Sequence, residues 1–291
     1  MARSIIGYLT DVGRHRKENQ DSYSVREWQH ATLLVVADGM GGHRGGSVAS
    51  RTAVSSIVHD IEAAEIQWKE PHQVNNLIEQ AMLKANTEVF RASRESRENY
   101  NMGTTAIVVI IVGRFAYFGH IGDSRIYLAR NGMARRLTTD HTSAQFLVEA
   151  GKLSPEEVQD HPESHRLMRA VGILSNTEPD IRKVPLMLME NDSLLLCSDG
   201  LYDVVEGREI GIALQKFHPQ KACKKLVELA NARGGPDNIT IVVYRSQERD
   251  GLLEKAAGLM RRPYRGIPLY LWLIAGSALS TAAVLFGLAL Q

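Results

Sequence analysis

The chain has 291 residues, 44% of them hydrophobic and 23% charged, with a formal net charge of +1. That length allows one large domain or two small ones, and the apolar content is ample for a packed core. Near-neutral charge argues against a bulk nucleic-acid binder, and two cysteines, Cys197 and Cys223, are too few for a disulfide framework or a thiolate metal site. Their use fits a reducing compartment.

No apolar core of signal-peptide length occupies MARSIIGYLTDVGRH, so no secretory leader is expected. The first expected strand, 32–37, runs into a glycine cluster, DGMGGHRGG. Apolar residues at helical spacing then predict helices over 47–62 (Val48, Ala49, Ala53, Ile57, Ile61) and 71–92 (Val74, Leu77, Ile78, Ala81, Ala85, Val89). The charged run 91–100 reads as a solvated helix end. Runs rich in Val and Ile predict strands at 105–112, 115–121 and 125–130. Val112-Gly113-Arg114 and Asn131-Gly132 are tight turns, so the strands they join must be antiparallel. Residues 142–178 look like an added flap, in which Ser154-Pro155 opens a short helix with acidic residues in its first turn. Strands follow at 193–197 and 239–244, with a helix at 219–232 between them that stops at Gly234-Gly235. Antiparallel strands with helices outside them predict an α+β layered domain over 1–246.

Residues 247–265 mix charge, Gly and Pro and read as a juxtamembrane linker. Residues 269–290 contain no charged side chain. Roughly 22 residues at ~1.5 Å each span ~33 Å, close to the ~30 Å hydrocarbon core. About ten are Leu, Ile, Val or Phe, together contributing roughly −3 to −6 kcal/mol of insertion free energy. A single transmembrane helix is therefore expected within 266–291. Lys255, Arg261, Arg262 and Arg265 precede it and only Gln291 follows, which places the large N-terminal part in the cytoplasm.

Aspartates recur where apolar runs stop. Asp38 follows LLVVA and precedes Gly39; Asp123 follows YFGHIG; Asp199 follows LLLCS and precedes Gly200; Asp237 precedes ITIVVY; Asp21 lies in KENQD. A carboxylate at the mouth of a buried strand is costly unless it is paired or binds a cation. One alone reads as a turn former or helix cap; several together suit a hard divalent ion such as Mg²⁺ or Mn²⁺, which takes carboxylate and carbonyl oxygens. Gly39 would then offer its bare carbonyl. None of the ten histidines has HExxH spacing.

DVGRHRKENQD (11–21), VVADGMGGHRGG (35–46), MGTTAIVV (102–109), GHIGDSRIYL (119–128), LTTDHT (137–142), LLLCSDGLYDVV (194–205) and GGPDNITIVV (234–243) occur in this order. Together they resemble the metal-dependent Ser/Thr protein phosphatases, the protein phosphatase 2C family in its bacterial form, over nearly all of 4–245. The resemblance implies two antiparallel sheets in a sandwich flanked by helices, with two or three Mn²⁺ or Mg²⁺ ions at one end. It matches Asp38 to a carboxylate bridging two ions and Gly39 to a backbone carbonyl ligand. Asp199 and Asp237 match further ligands, Asp21 an outer acid, and Asp123 the ligand of a third ion, to which Asp199 also contributes. Arg16 matches the arginine that grips substrate phosphate, and Asn238 would orient the loop of Asp237. The implied chemistry is hydrolysis of phosphoserine and phosphothreonine by a hydroxide held between two ions.

The sequence departs from the animal-type pattern at Met40, where a histidine proposed as general acid would stand; a thioether donates no proton. His43 and His141 are the alternative donors, or act around the site rather than in it. Gln20 stands where relatives commonly carry Glu. Arg166 and Arg169 read as a solvated helix face. The resemblance implies phosphorylated proteins as partners, Ser/Thr kinases and their substrates among them, and no nucleic acid. A phosphohydrolase of small esters and an inactive membrane-held scaffold are the competing readings.

Overall fold

The computed structural model describes residues 5–41, 45–64, 71–95, 99–158, 161–247, 263–264 and 267–268. In chain order these form β1 (Ile5–Asp11), β2 (Asp21–Glu27), β3 (Ala31–Met40), α1 (Gly45–Ala63), α2 (Pro71–Glu95), β4 (Gly103–Thr104), β5 (Ala106–Val112), β6 (Phe115–Ile121), β7 (Arg125–Arg130) and β8 (Met133–Arg136). There follow α3 (Ser143–Glu149), β9 (Asp180–Ile181), β10 (Leu186–Met187), β11 (Ser193–Cys197), α4 (Asp199–Tyr202), α5 (Gly207–Lys216), α6 (Pro219–Ala232) and β12 (Ile239–Arg245).

The strands make two sheets, one ordered β1-β12-β11-β7-β8 and the other β10-β6-β5-β3-β2, with β4 on β3 and β9 on β6. Every pairing within them is antiparallel. Alternation along the strands explains why they pack as four layers. In β3, Leu33, Val35 and Ala37 pack with residues of α1 and α2, whereas Leu34 and Val36 join a core shared with β11 and β12. In β12, Ile241 and Val243 pack with α5 and α6, whereas Val242 and Tyr244 enter the shared core. Both faces of the central strands are thus buried, and they read as unbroken apolar runs.

The Asn131-Gly132 turn has φ of 51° and 78°, the paired positive values of a type I′ hairpin. β3 runs past the expected 32–37 to Met40, so Asp38 lies inside the strand rather than at its end. β1, β2 and α5 have no counterpart among the expected elements. In the 142–178 segment, the start signal at Ser154 yields only a 3₁₀ turn at Pro155–Glu157. None of its residues is buried, so no apolar face extends it into a helix. The segment is stitched to α2 by Asn86, which accepts from the Gly172 amide (2.7 Å) and donates to the Leu174 carbonyl (2.9 Å).

Ser4–Ser246 forms one compact unit. In the tail, Pro263–Tyr264 pairs antiparallel with Ile267–Pro268. Of the helix expected within 266–291, Ile267–Pro268 is a short strand and 269–290 lies outside the described residues. Among those residues no helix is long and apolar enough to cross a membrane.

Candidate active site

The two sheets bring the aspartates together from separate strand ends. Asp21 on β2 stands directly opposite Asp38 on β3. Like charges in that register repel, so something else must fix them. The Asp38 amide donates to Thr105 Oγ1 (2.9 Å), and its carbonyl accepts from the Thr105 amide (2.8 Å) and the Thr104 hydroxyl (2.8 Å). At Gly39 a Cβ would collide with the Gly46 carbonyl, so glycine is what lets β3 and the start of α1 meet.

From the other sheet, β11 ends at Cys197 and Asp199 opens α4, while Asp237 and Asn238 lead into β12. The Ser198 hydroxyl donates to Asp21 Oδ2 (2.8 Å) and accepts from the Thr240 amide (2.9 Å), linking the two sheets at the site. Asn238 does more than shape its own loop. Its Oδ1 accepts from the Gln20 amide (2.8 Å), and its Nδ2 donates to the Val12 and Glu18 carbonyls (3.0 and 3.1 Å). It thereby holds the loop that carries Arg16.

Burial sets the electrostatics. It pushes the Asp21 carboxyl up to about 7, helped by repulsion from Asp199 and Asp237. Burial, then neighbouring carboxylates, holds Asp38 and Asp123 well above the usual range, and raises Asp199 as well. Asp21 Oδ1 and Asp199 Oδ1 are buried without a hydrogen-bond partner. Unpaired, crowded, all-oxygen donors are what a hard divalent cation would satisfy, so the residues present fit Mg²⁺ or Mn²⁺.

Arg16 donates from Nε and Nη2 to both oxygens of Asp237 (2.9 and 2.7 Å). The planar fork expected to hold phosphate is engaged here by a carboxylate of like geometry. Two further residues join the cluster that sequence reasoning did not single out. Burial and Asp199 push Asp203 up to about 7, and His165 Nδ1 lies 3.9 Å from both Asp199 and Asp203. Asp203 had a signal, because it lies four residues after Asp199 across α4. His165 had none, lying in the charged loop HPESHR. Asp123, His165 and Asp199 bring one ligand atom each within 4.8 Å of one another.

The remaining candidates separate from this cluster. His43 lies outside the described residues. His141 is buried, with both ring nitrogens engaged. Arg166 and Arg169 are not on a helix; Arg166 pairs with Glu163 and Arg169 with Asp180, each at 2.7 Å. The Met40 thioether lies beside Gly103 and Ile173, an apolar seat for the flap.

A family model described as protein phosphatase 2C matches residues 13–233. Protein phosphatase PhpP of Streptococcus pneumoniae serotype 2 is 36% identical over 250 residues, covering 84% of this chain and 98% of that one. Serine/threonine phosphatase stp of Listeria monocytogenes is 34% identical over 251 residues, covering 84% and 95%. Among solved structures, the S. agalactiae serine/threonine phosphatase superposes with a TM-score of 0.78 at 34% identity, covering 84% of this chain and all (100%) of its own. The catalytic domain of the phosphatase PstP, in complex with two manganese ions, reaches 0.71 at 32% identity, covering 84% and 100%. Fold, carboxylate cluster and relatives agree: the chain belongs to the protein phosphatase 2C family.

Proposed function

We propose that this chain hydrolyses phosphoserine and phosphothreonine in proteins, using two or three divalent ions held by Asp38, the Gly39 carbonyl, Asp123, Asp199 and Asp237, with Asp21 behind them. The observation that carries the reading is the convergence of buried carboxylates whose Asp21 Oδ1 and Asp199 Oδ1 lack a partner. Bound ions supply the missing positive charge and acidify water for attack on phosphorus. The protein's part is orientation. Thr104 and Thr105 fix the Asp38 backbone, Ser198 holds the Asp21 carboxylate, and Asn238 holds the 12–20 loop so that the Arg16 fork faces the cluster. Phosphate binding requires Arg16 to exchange the Asp237 carboxylate for substrate oxygens, a like-for-like swap of bidentate acceptors. His165, half exposed with Nδ1 3.9 Å from Asp199, is the candidate to protonate the leaving alkoxide.

We further infer that the 266–291 segment anchors the enzyme, with 1–246 on the cytoplasmic side, near membrane-bound Ser/Thr kinases and their substrates. That partner assignment rests on family analogy.

The test is phosphate release from a phosphothreonine peptide by the full-length protein in mild detergent, with Mn²⁺, with Mg²⁺, with excess EDTA, and with Asp38→Asn. Turnover that needs metal and disappears in Asp38→Asn is the expected result. Turnover that persists in EDTA would overturn it. Metal binding without turnover would favour the scaffold or small-ester readings.

A further inference from the structure

The buried His120 and His141 form, with half-exposed Asp180 and Arg169, a polar network that the chemistry above does not use. His141 is its centre. Its backbone amide donates to the Gly122 carbonyl (3.0 Å), and its carbonyl accepts from the Met168 amide (2.7 Å). Its Nδ1 lies 3.1 Å from the Gly122 amide and its Nε2 3.1 Å from Asp180 Oδ2. A backbone amide can only donate, so Nδ1 carries no proton and Nε2–H donates to Asp180. Burial pushes the ring's pKa down to about 4, with His120 and Arg169 adding, which keeps it neutral. Against a partial desolvation that opposes it, bonds from Arg169 and His141 draw the half-exposed Asp180 carboxyl down to about 2. The His120 ring stacks on His141 with centroids 4.6 Å apart, and its Nε2 donates to the Thr139 carbonyl (2.8 Å). His120, His141 and Asp180 bring one ligand atom each within 4.8 Å of one another, but His141 Nδ1 and His120 Nε2 are both occupied, and the His141 Nε2 that faces Asp180 carries a proton instead of a free lone pair. The network is a brace rather than a ligand set.

What it braces is specific. Gly122 precedes Asp123, and at φ +99° a Cβ there would lie 2.6 Å from Thr105 Cγ2, so the loop is pressed onto the residue that fixes Asp38. On the other side, Thr142 bridges to Leu167 and the Ser143 amide donates to the Arg166 carbonyl (2.8 Å). The 141–143 and 166–168 segments therefore run together, immediately after His165. We propose that His141, through its paired bonds to Gly122 and its bond to Met168, is a positioning residue that sets the Asp123 loop against the His165 segment, so that Asp123, His165 and Asp199 meet at one point. This rests on the reading of Asp123 and Asp199 as cation ligands.

The experiment compares His141→Phe, His141→Asn and His141→Gln in the full-length protein in detergent. The readouts are Mn²⁺ titration calorimetry and steady-state hydrolysis of p-nitrophenyl phosphate. Phe keeps the stacked ring and the backbone bonds to Gly122 and Met168, and loses the two side-chain bonds, to the Gly122 amide and to Asp180. Asn keeps an acceptor at the Nδ1 position; Gln reaches only toward Asp180. In His141→Phe the weakest Mn²⁺ site is expected to lose about tenfold or more in affinity, the range for partners that orient metal ligands, and kcat to fall in parallel. KM should stay within about twofold, since Arg16 is untouched. Asn should recover most of both quantities, and Gln should not. Wild-type Mn²⁺ affinity and kcat in His141→Phe would overturn the proposal. So would equal losses in Asn and Gln, a comparison that decides the matter even if the Phe variant does not fold. A wild-type protein that binds no Mn²⁺ would instead sink the cation-site reading beneath it.

Discussion

At the scale of single residues, the site is a contest between carboxylates and the few groups that can neutralise them. Arg16 neutralises Asp237 through two short bonds. If it exchanges that partner for phosphate, Arg16→Ala should raise KM for a phosphopeptide about tenfold or more, as expected for loss of charge-assisted bonds. Mn²⁺ affinity should hold or tighten, because Asp237 is released. Arg16→Lys should recover little, since an ammonium presents no fork. Steady-state kinetics beside Mn²⁺ titration checks both limbs, and an unchanged KM would remove Arg16 from the phosphate. The raised carboxyls make a second prediction. Asp21 and Asp203 titrate near 7 in the folded, metal-free chain, against about 3.9 when unfolded. Between those values the folded state holds protons that the unfolded state has released, so these two groups make stability fall as pH rises from about 4 to about 7, and Asp38 and Asp123, held well above the usual range, act in the same direction. Tm measured in EDTA should therefore be lower at pH 8 than at pH 5, and Mn²⁺ should erase the difference. A metal-free Tm that does not fall would mean the cluster is hydrated. Asp38, Asp123, Asp199 and Asp237 were legible in the sequence because each lies beside an apolar run or a glycine turn; Asp21, in the polar stretch KENQD, has no such pattern and was placed by the family resemblance. His165 was not, because its role comes from a loop folding back across the chain.

At the scale of elements, what mattered was which strands are buried on both faces. β6, β7 and β11 were legible to the residue, being apolar runs closed by glycine or asparagine turns. β1 and β2 were not: each is the edge of its sheet, and polar residues such as Ser22, Ser24 and Arg26 break the apolar pattern of β2. β3 was read short because Asp38 looks like a terminator. It is held within the strand because Thr104 and Thr105 satisfy its backbone, which no local pattern announces. The glycine cluster that follows has a packing cause as well as a chemical one. Gly39→Ala forces a methyl into the Gly46 carbonyl and must separate β3 from α1. A loss of about 1–3 kcal/mol in urea unfolding is expected, together with loss of metal-dependent turnover, because the carbonyl next to Asp38 moves. Full activity in a destabilised Gly39→Ala protein would separate the two roles and leave only packing.

At the scale of the whole molecule, the proposed division is between catalysis in 1–246 and placement by the tail. The described cores draw their buried residues from Ala31 through Tyr244. The tail instead carries the uncharged run 269–290 behind Arg261, Arg262 and Arg265. A chain ending at residue 246 should then keep kcat/KM within about twofold on a soluble phosphopeptide, and should stay in the supernatant when membranes are sedimented in alkaline carbonate. The full chain should sediment. In inside-out membrane vesicles, added protease should digest 1–246 if the proposed topology holds, with the basic flank and 1–246 on the exposed cytoplasmic face. Confinement to the same surface raises the effective concentration of enzyme toward a membrane-bound substrate. The full chain should therefore dephosphorylate a lipid-anchored phosphopeptide at least about tenfold faster than the truncated one at equal bulk concentration. The gain should vanish when the lipid anchor on the peptide is cleaved, because both enzymes then search the same volume with the same site. Equal rates on the anchored peptide would mean that the tail contributes nothing to substrate access, whatever membrane affinity it has.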